Sequence, residues 1–359
     1  MKTSLLTPLI VPLLLSFSLS VTGQVLGGRY AYSFLEQSPT AAAAGLAGFS
    51  LRQDGRDPAI AQFNPALLNT NTADIIHASQ DFYPAGTGRS IVSYGRQLGE
   101  KKIIDVSANL HYASFGDFEG RDEAGVATGT FSANEYAFGL SAAHQLADRV
   151  RVGATLQLLG GSIESFNSFG AAVSAGLTYT PDSTGLTVWG VQMRNAGYII
   201  NGYTEQQDPL PFNISVGVSR RLKYLPLRFG VLYRRIDRWN ILFDDPDRRE
   251  SDGFLSSEPV ERGGASLWFD NFGRHFSFNA ELYLGKKEVI QLRAGYDHQR
   301  QREAKVNEFR SLAGFSFGLG LNLRKFRLDY GRTVQHIAGG TNHLGVLIDL
   351  NPGSRTNKT

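Results

Sequence analysis

The stretch Arg149-Val-Arg-Val-Gly-Ala-Thr-Leu-Gln-Leu158 decides the fold. Val150, Val152, Ala154, Leu156 and Leu158 take alternate places, with Arg149, Arg151, Gly153, Thr155 and Gln157 between them. Successive strand side chains point to opposite faces, so this run has one apolar and one polar face, and its period of two is wrong for a helix. The pattern recurs at Ile290, Leu292, Ala294 and Tyr296 against Gln291, Arg293, Gly295 and Asp297. Phe326, Leu328 and Tyr330 repeat it against Lys325, Arg327 and Asp329, and so does the run from Phe309 to Leu323.

Working outward, such runs predict fourteen antiparallel strands, near 73–81, 88–97, 103–115, 129–145, 149–162, 168–180, 185–194, 212–222, 226–238, 274–285, 288–300, 309–323, 325–334 and 341–351. A tilted strand needs roughly 9–11 residues to cross a bilayer, and most of these runs reach that length. The connections after even-numbered strands are short: 98–102, 147–148, 181–184, 223–225, 286–287 and 324. Those after odd-numbered strands include the long polar segments 116–128, 195–211 and 239–273. Short turns on one rim and long loops on the other describe an outer-membrane barrel with both termini on the turn side. A soluble sandwich would also alternate, but its outer face is usually rich in Lys and Glu, whereas these polar faces carry many Gly, Ser, Asn and Gln. Tyr112, Trp189 and Tyr233 fall towards strand ends, where interfacial aromatics sit. The expected fold class is all-β: a transmembrane antiparallel barrel over 72–351, followed by a short tail, 352–359.

Composition narrows the function. Among 359 residues there is no Cys, which removes disulfides, thiolate nucleophiles and cysteine-ligated metals. Lys and Arg number 36 against 33 Asp and Glu, spread along the chain, so no basic patch for nucleic acid is expected. Glycine, at 40 residues, is in excess without collagen periodicity, and strand glycines suit a crowded lumen and barrel corners. The N-terminus, Met1-Lys2 followed by the apolar stretch Leu5 to Val21 with Pro8 and Pro12, predicts a signal peptide over 1–23 and export of the mature chain.

Residues 24–71 do not alternate. They hold the small-residue run Thr40 to Gly48, then Asp57-Pro58, which predicts a capped short helix, then Asn64-Pro-Ala-Leu-Leu68. Lying before the first strand, this segment is expected to fold into the barrel as a plug, with Asp57, Asn64 and Pro65 as its motif. Within 239–273, Val260, Leu267, Trp268 and Phe272 have loose helical spacing and predict an amphipathic helix over 259–272.

These residues carry a family resemblance. Leu26-Gly-Gly-Arg-Tyr-Ala-Tyr-Ser-Phe-Leu35, the small-residue run, and Asp57-Pro58 with Asn64-Pro-Ala-Leu-Leu68 are similar to the start of the PorQ family. Asp329-Tyr-Gly-Arg332, His336 and Ala338-Gly-Gly-Thr-Asn-His343 resemble its last two strands. That family belongs to the type IX secretion system and is related to PorV and, more distantly, to the FadL fatty-acid transporters. The resemblance implies a fourteen-stranded barrel in the surface complex that receives cargo, cleaves its C-terminal signal and attaches it to lipopolysaccharide. The expected role is to hold a PorZ-like surface protein beside PorV-like and PorU partners in the outer-membrane lipid. The plug element shared with FadL-like barrels implies the alternative, a channel for small hydrophobic compounds.

The chemistry of the remaining motifs points away from an enzyme, a cofactor or a metal. Gly314-Phe-Ser316-Phe-Gly318 matches a nucleophile-elbow pattern, but that motif needs a sharp strand-to-helix turn and this one lies in an alternating strand. His336 and His343 flank a short loop without a recognised ligand spacing, and His111 falls on a polar strand face. Asp244, Asp245 and Asp247 lack the glycine and terminal glutamate of a calcium loop. Tyr198, Tyr203, Trp239 and Trp268, in or near the long loops, are the candidate partner-docking residues, because Trp, Tyr and Arg concentrate interface energy.

Overall fold

The computed structural model describes residues 30–83, 86–99, 103–205, 208–242, 264–285, 288–304, 312–336 and 339–352. The predicted signal peptide, the acidic run 244–252 and the tail beyond 352 lie outside them.

The alternating runs form one closed antiparallel barrel of fourteen strands. They are β1 (Ile75–Phe82), β2 (Gly88–Leu98), β3 (Ile104–Arg121), β4 (Ala127–Ala147), β5 (Val150–Ile163), β6 (Phe166–Tyr179), β7 (Thr187–Asn201), β8 (Asn213–Arg221), β9 (Leu227–Tyr233), β10 (Phe276–Leu284), β11 (Ile290–Asp297), β12 (Phe315–Asn322), β13 (Phe326–His336) and β14 (Gly339–Asp349). Each pairs with its sequence neighbours, and β1 closes on β14 from Ile75 opposite Asp349 to Phe82 opposite Asn342.

Alternation sorts the faces inside out. Leu140, Leu156, Leu158, Phe278, Phe317, Leu319 and Leu344 point outward and are exposed, whereas Arg89, Asp105, Gln157, Glu281, Arg293 and Asp329 point inward and are buried. A soluble domain would reverse this, because exposed apolar area is unfavourable in water.

Several strand ends differ from the sequence-based boundaries, among them β11, which stops at Asp297 where the sequence predicts a strand over 288–300. β3 and β4 run on to Arg121 and Ala127, so the expected loop 116–128 is a two-stranded arm. Residues 117–119 and 121–130 are exposed on both faces of it, and such ribbons carry no core-facing stripe from which periodicity could reveal them. β7 continues to Asn201 through a β-bulge at Arg194 and Asn195, where Asn195 has a φ of 57° and both residues face inward. β9 stops at Tyr233, and the chain turns away with Arg235 at a φ of 56°.

Residues 30–72 cross the interior from the long-loop rim to the turn rim. At the loop rim Ala31 N–H donates to Pro209 O (3.2 Å); at the turn rim Asp74 N–H donates to Gly95 O (2.8 Å). The segment contains the short helix α1 (Ala41–Ala44), capped by the Thr40 hydroxyl, and 3-10 turns at Pro58–Gln62, Pro65–Leu67 and Thr70–Thr72. Asp57 and Asn64 cap the first two turns with Pro at the first helical position, as the sequence predicts for Pro58. Three apolar clusters lie inside the wall, the smallest of them Ala61, Leu68 and Ala143. Phe49, Leu51, Ile60, Phe63 and Leu67 pack with Leu232, and Tyr32, Phe34 and Leu35 pack with Ala137, Leu159 and Ile199.

Candidate functional site

The lumen is organised by how close the N-terminal segment comes to the wall. A Cβ built on Gly153 would stand 2.6 Å from the Pro65 carbonyl carbon and 2.7 Å from Ala66 N. One on Gly176 would overlap Asn64, and one on Gly45 would come within 2.8 Å of the Gly318 Cα. At Gly153 and Gly318 two backbones therefore touch, and Gly176 makes room for the Asn64 side chain, more specific roles than easing curvature.

Between these contacts runs a charged network. The Arg293 side chain, fully buried, donates to Glu281 (2.8 Å) and Asp329 (2.7 Å), and Arg327 also reaches Asp329 (2.9 Å). From the N-terminal segment, Arg52 reaches Glu281 (3.2 Å), Arg56 reaches Asp349 (2.5 Å) and Asp54 accepts from Arg228 (3.2 Å). Burial would raise the Asp54 carboxyl, but the guanidiniums of Arg52 and Arg228 outweigh it and hold the group well below the usual carboxylate range. Asp57 Oδ1 lies 3.0 Å from His77 Nδ1 without the alignment of a hydrogen bond. Asn64 caps Ala66 N–H (3.0 Å) and donates to Val191 O (3.3 Å), Gln157 donates to Gln62 (2.8 Å), and Arg151 donates to Leu68 O (2.5 Å).

A cavity of about 230 Å³ lies towards the long-loop rim. Glu36, Arg194, Arg234, Arg235, Asp297 and Arg300 line it together with amides and hydroxyls, and only Phe63 and Leu232 contribute large apolar surface. Arg234 pairs with Asp297 (2.7 Å) and Arg235 with Glu36 (2.7 Å). This space suits water and polar groups more than a hydrocarbon.

The residues that the sequence singles out do not gather at one place. Tyr198 is exposed on the outer wall of β7. Tyr203 turns inward against Gly161, and burial, then the nearby Glu135 charge, push its hydroxyl up. Trp239 and Trp268 come together, with centroids 5.6 Å apart, in a stack with Phe272. Asp57, Asn64 and Pro65 sit in the lumen as described. Ser316 accepts from Ala47 N–H (2.9 Å) within β12, which uses its hydroxyl to hold the N-terminal segment. His343 pairs with Asp81 (2.7 Å), which also takes Arg89, and His111 is buried inside. Among the described residues no three His, Asp or Glu side chains converge on a metal position. The 117–130 arm, expected as a loop over 116–128, is the element whose strands the sequence did not reveal.

No family model matches the sequence, and no curated protein matches it. Solved structures do. The Pseudomonas putida toluene transporter TodX aligns over 87% of this chain and 96% of its own, at 12% identity and a TM-score of 0.50. A TodX monoaromatic hydrocarbon channel mutant, deltaS2S3, aligns over 87% and 97%, at 13% identity and a TM-score of 0.51. A Pseudomonas aeruginosa FadL homologue aligns over 87% and 98%, at 10% identity and a TM-score of 0.46. At these identities the TodX likeness concerns the barrel fold.

Proposed function

We propose that the chain is an outer-membrane β-barrel closed by its own N-terminal segment, acting as a scaffold rather than an enzyme. In this reading it anchors a PorZ-like surface protein of a type IX attachment complex, beside PorU and PorV-like partners. One observation carries it: residues 52–68 are tied to the wall by ion pairs and hydrogen bonds through the lumen, beside a cavity lined mainly by charged and polar side chains. The arm at 117–130 and the long-loop rim supply the docking surface. Deleting the gene is expected to release the surface partner and stop cargo attachment; a partner that stays attached with secretion intact overturns the reading.

A second reading is a FadL-like channel for small hydrophobic compounds. The fold likeness to TodX, described as a toluene transporter, favours it over the anchor. The lumen chemistry opposes it. Uptake of a radiolabelled monoaromatic hydrocarbon into cells with and without the barrel separates the two: barrel-dependent uptake supports the channel, and equal uptake supports the scaffold.

A further inference from the structure

The helix α2 (Gly264–Arg274) on the long-loop rim is built inside out. Trp268, Phe269 and Phe272 are 48%, 68% and 37% exposed, whereas Asp270, Asn271 and Arg274 are only 8%, 3% and 5% exposed. Each polar residue follows an aromatic one by two positions, about 200° around a helix, so the two sets occupy opposite faces. A helix resting on a soluble protein buries its aromatic stripe and leaves its charges in water. Here the charges are spent internally. Asp270 takes Arg274 (2.9 Å) and, from the following helix α3 (His298–Glu303), Arg302 (2.5 Å). Asn271 donates to Trp239 O (2.7 Å) and accepts from Ile241 N–H (3.0 Å).

The aromatic face is continuous with the barrel exterior. Trp268 stacks on Phe272 (5.4 Å), Phe272 meets Phe276 edge-on (5.1 Å), and Phe276 stacks on Phe278 (6.1 Å), which points outward from β10. Tyr233, at the end of β9, packs against Phe276 (5.1 Å). The outward apolar wall thus climbs over the rim onto the helix without a polar break among the described residues.

We propose that α2 is an interfacial helix whose Trp268, Phe269 and Phe272 face is immersed in the outer leaflet, at the boundary of headgroups and acyl chains. Amphipathic helices lie in this plane, and aromatic rings with one polar edge favour it. The inference rests on the outer-membrane reading above. It takes Trp268 away from protein docking and makes it part of a lipid anchor that fixes the long-loop rim at one depth.

Full-length barrel carrying Trp189→Phe and Trp239→Phe keeps Trp268 as its only tryptophan; Trp239→Phe with Trp268→Phe keeps only Trp189, exposed on the outer wall of β7. Both are reconstituted into phosphatidylcholine vesicles with or without mid-chain bromine and titrated with aqueous iodide. The expected result is loss of Trp268 emission in brominated vesicles comparable to that of Trp189, with little iodide quenching. Trp189 quenched by bromine while Trp268 responds only to iodide, or to neither, overturns the proposal and leaves the membrane reading standing. Trp189 unaffected by bromine overturns the membrane reading itself, and the proposal with it.

Discussion

Replacing Gly153 by Val tests the closest contact in the lumen. The added Cβ falls 2.6 Å from the Pro65 carbonyl carbon and 2.7 Å from Ala66 N, against about 3.5 Å for ordinary carbon contact. The deficit is roughly 0.9 Å, and the obstructing atoms are backbone. They cannot swing aside, because the Asn64 carboxamide caps Ala66 N–H and ties the turn to β7 through Val191 O. Overpacking of this kind costs about 1–3 kcal/mol, and valine's two methyl groups place the change at the upper end. The assay is the urea midpoint of the heat-modifiable folded band in detergent, paired with single-channel conductance in planar bilayers. The expected outcome is a lowered midpoint and intermittent conductance as the 64–66 turn leaves its seat. Gly264→Ala is the control, since nothing lies within 4 Å of a Cβ there. A Gly153→Val barrel as stable and as weakly conducting as the parent would refute the claim that Gly153 is a backbone contact point.

Arg293→Met removes the cation between Glu281 and Asp329, and the loss is expected to be about 3–5 kcal/mol of unfolding free energy by urea titration. A loss under ~1 kcal/mol would mean that Arg52 and Arg327 alone neutralise the pair of carboxylates. Asn64→Ala deletes a cap and its link to β7, and a loss of about 1–2 kcal/mol is expected in the same titration. Burial would raise the Asp270 carboxyl, but Arg274 and Arg302 hold it below its ordinary value. The stability it contributes is therefore present above the unfolded carboxylate range and lost as pH falls through the folded value. Acidification below about pH 4 should loosen α2 from α3, read as a shift in Trp268 emission, and Asp270→Asn should abolish that pH response.

The barrel was legible because each strand has two unlike faces, and Val150 to Leu158 shows this without any tertiary information. Legibility ended where that contrast ended. Residues 121–128 of the arm are exposed on both faces, so no stripe marked them as strand. The lumen was half legible. Asp57-Pro58 and Asn64-Pro65 announce capped turns locally, and both form. Their partners could not be read: Arg52 meets Glu281 across 229 positions, and Arg56 meets Asp349 across 293. The glycine excess is visible in the sequence, but only the structure shows which of them, such as Gly153 and Gly295, face the N-terminal segment's backbone. The helix over 259–272 begins, among the described residues, at Gly264, and its inverted polarity could not be inferred from a loose apolar spacing.

Energetics bear on the choice between scaffold and channel. If residues 52–68 close the lumen, as proposed, conduction requires them to leave the wall. The links to be broken include Arg52 with Glu281, Asp54 with Arg228, Arg56 with Asp349, Gln62 with Gln157 and Leu68 with Arg151. At about 1 kcal/mol net for each, release costs on the order of 5 kcal/mol before any apolar term. Phe49, Leu51, Phe63 and Leu67 would also lose their mutual packing, at about 1.5 kcal/mol or more for each side chain that becomes wetted. Together these exceed ~10 kcal/mol, an open population below about one in ten million at 1.4 kcal/mol per decade. A hydrophobic solute offers little to offset this, because the cations and carboxylates it would expose have no partner in a hydrocarbon. A barrel with this interior conducts only if something supplies charge complementarity to residues 52–57, whereas a scaffold needs the interior to stay as it is.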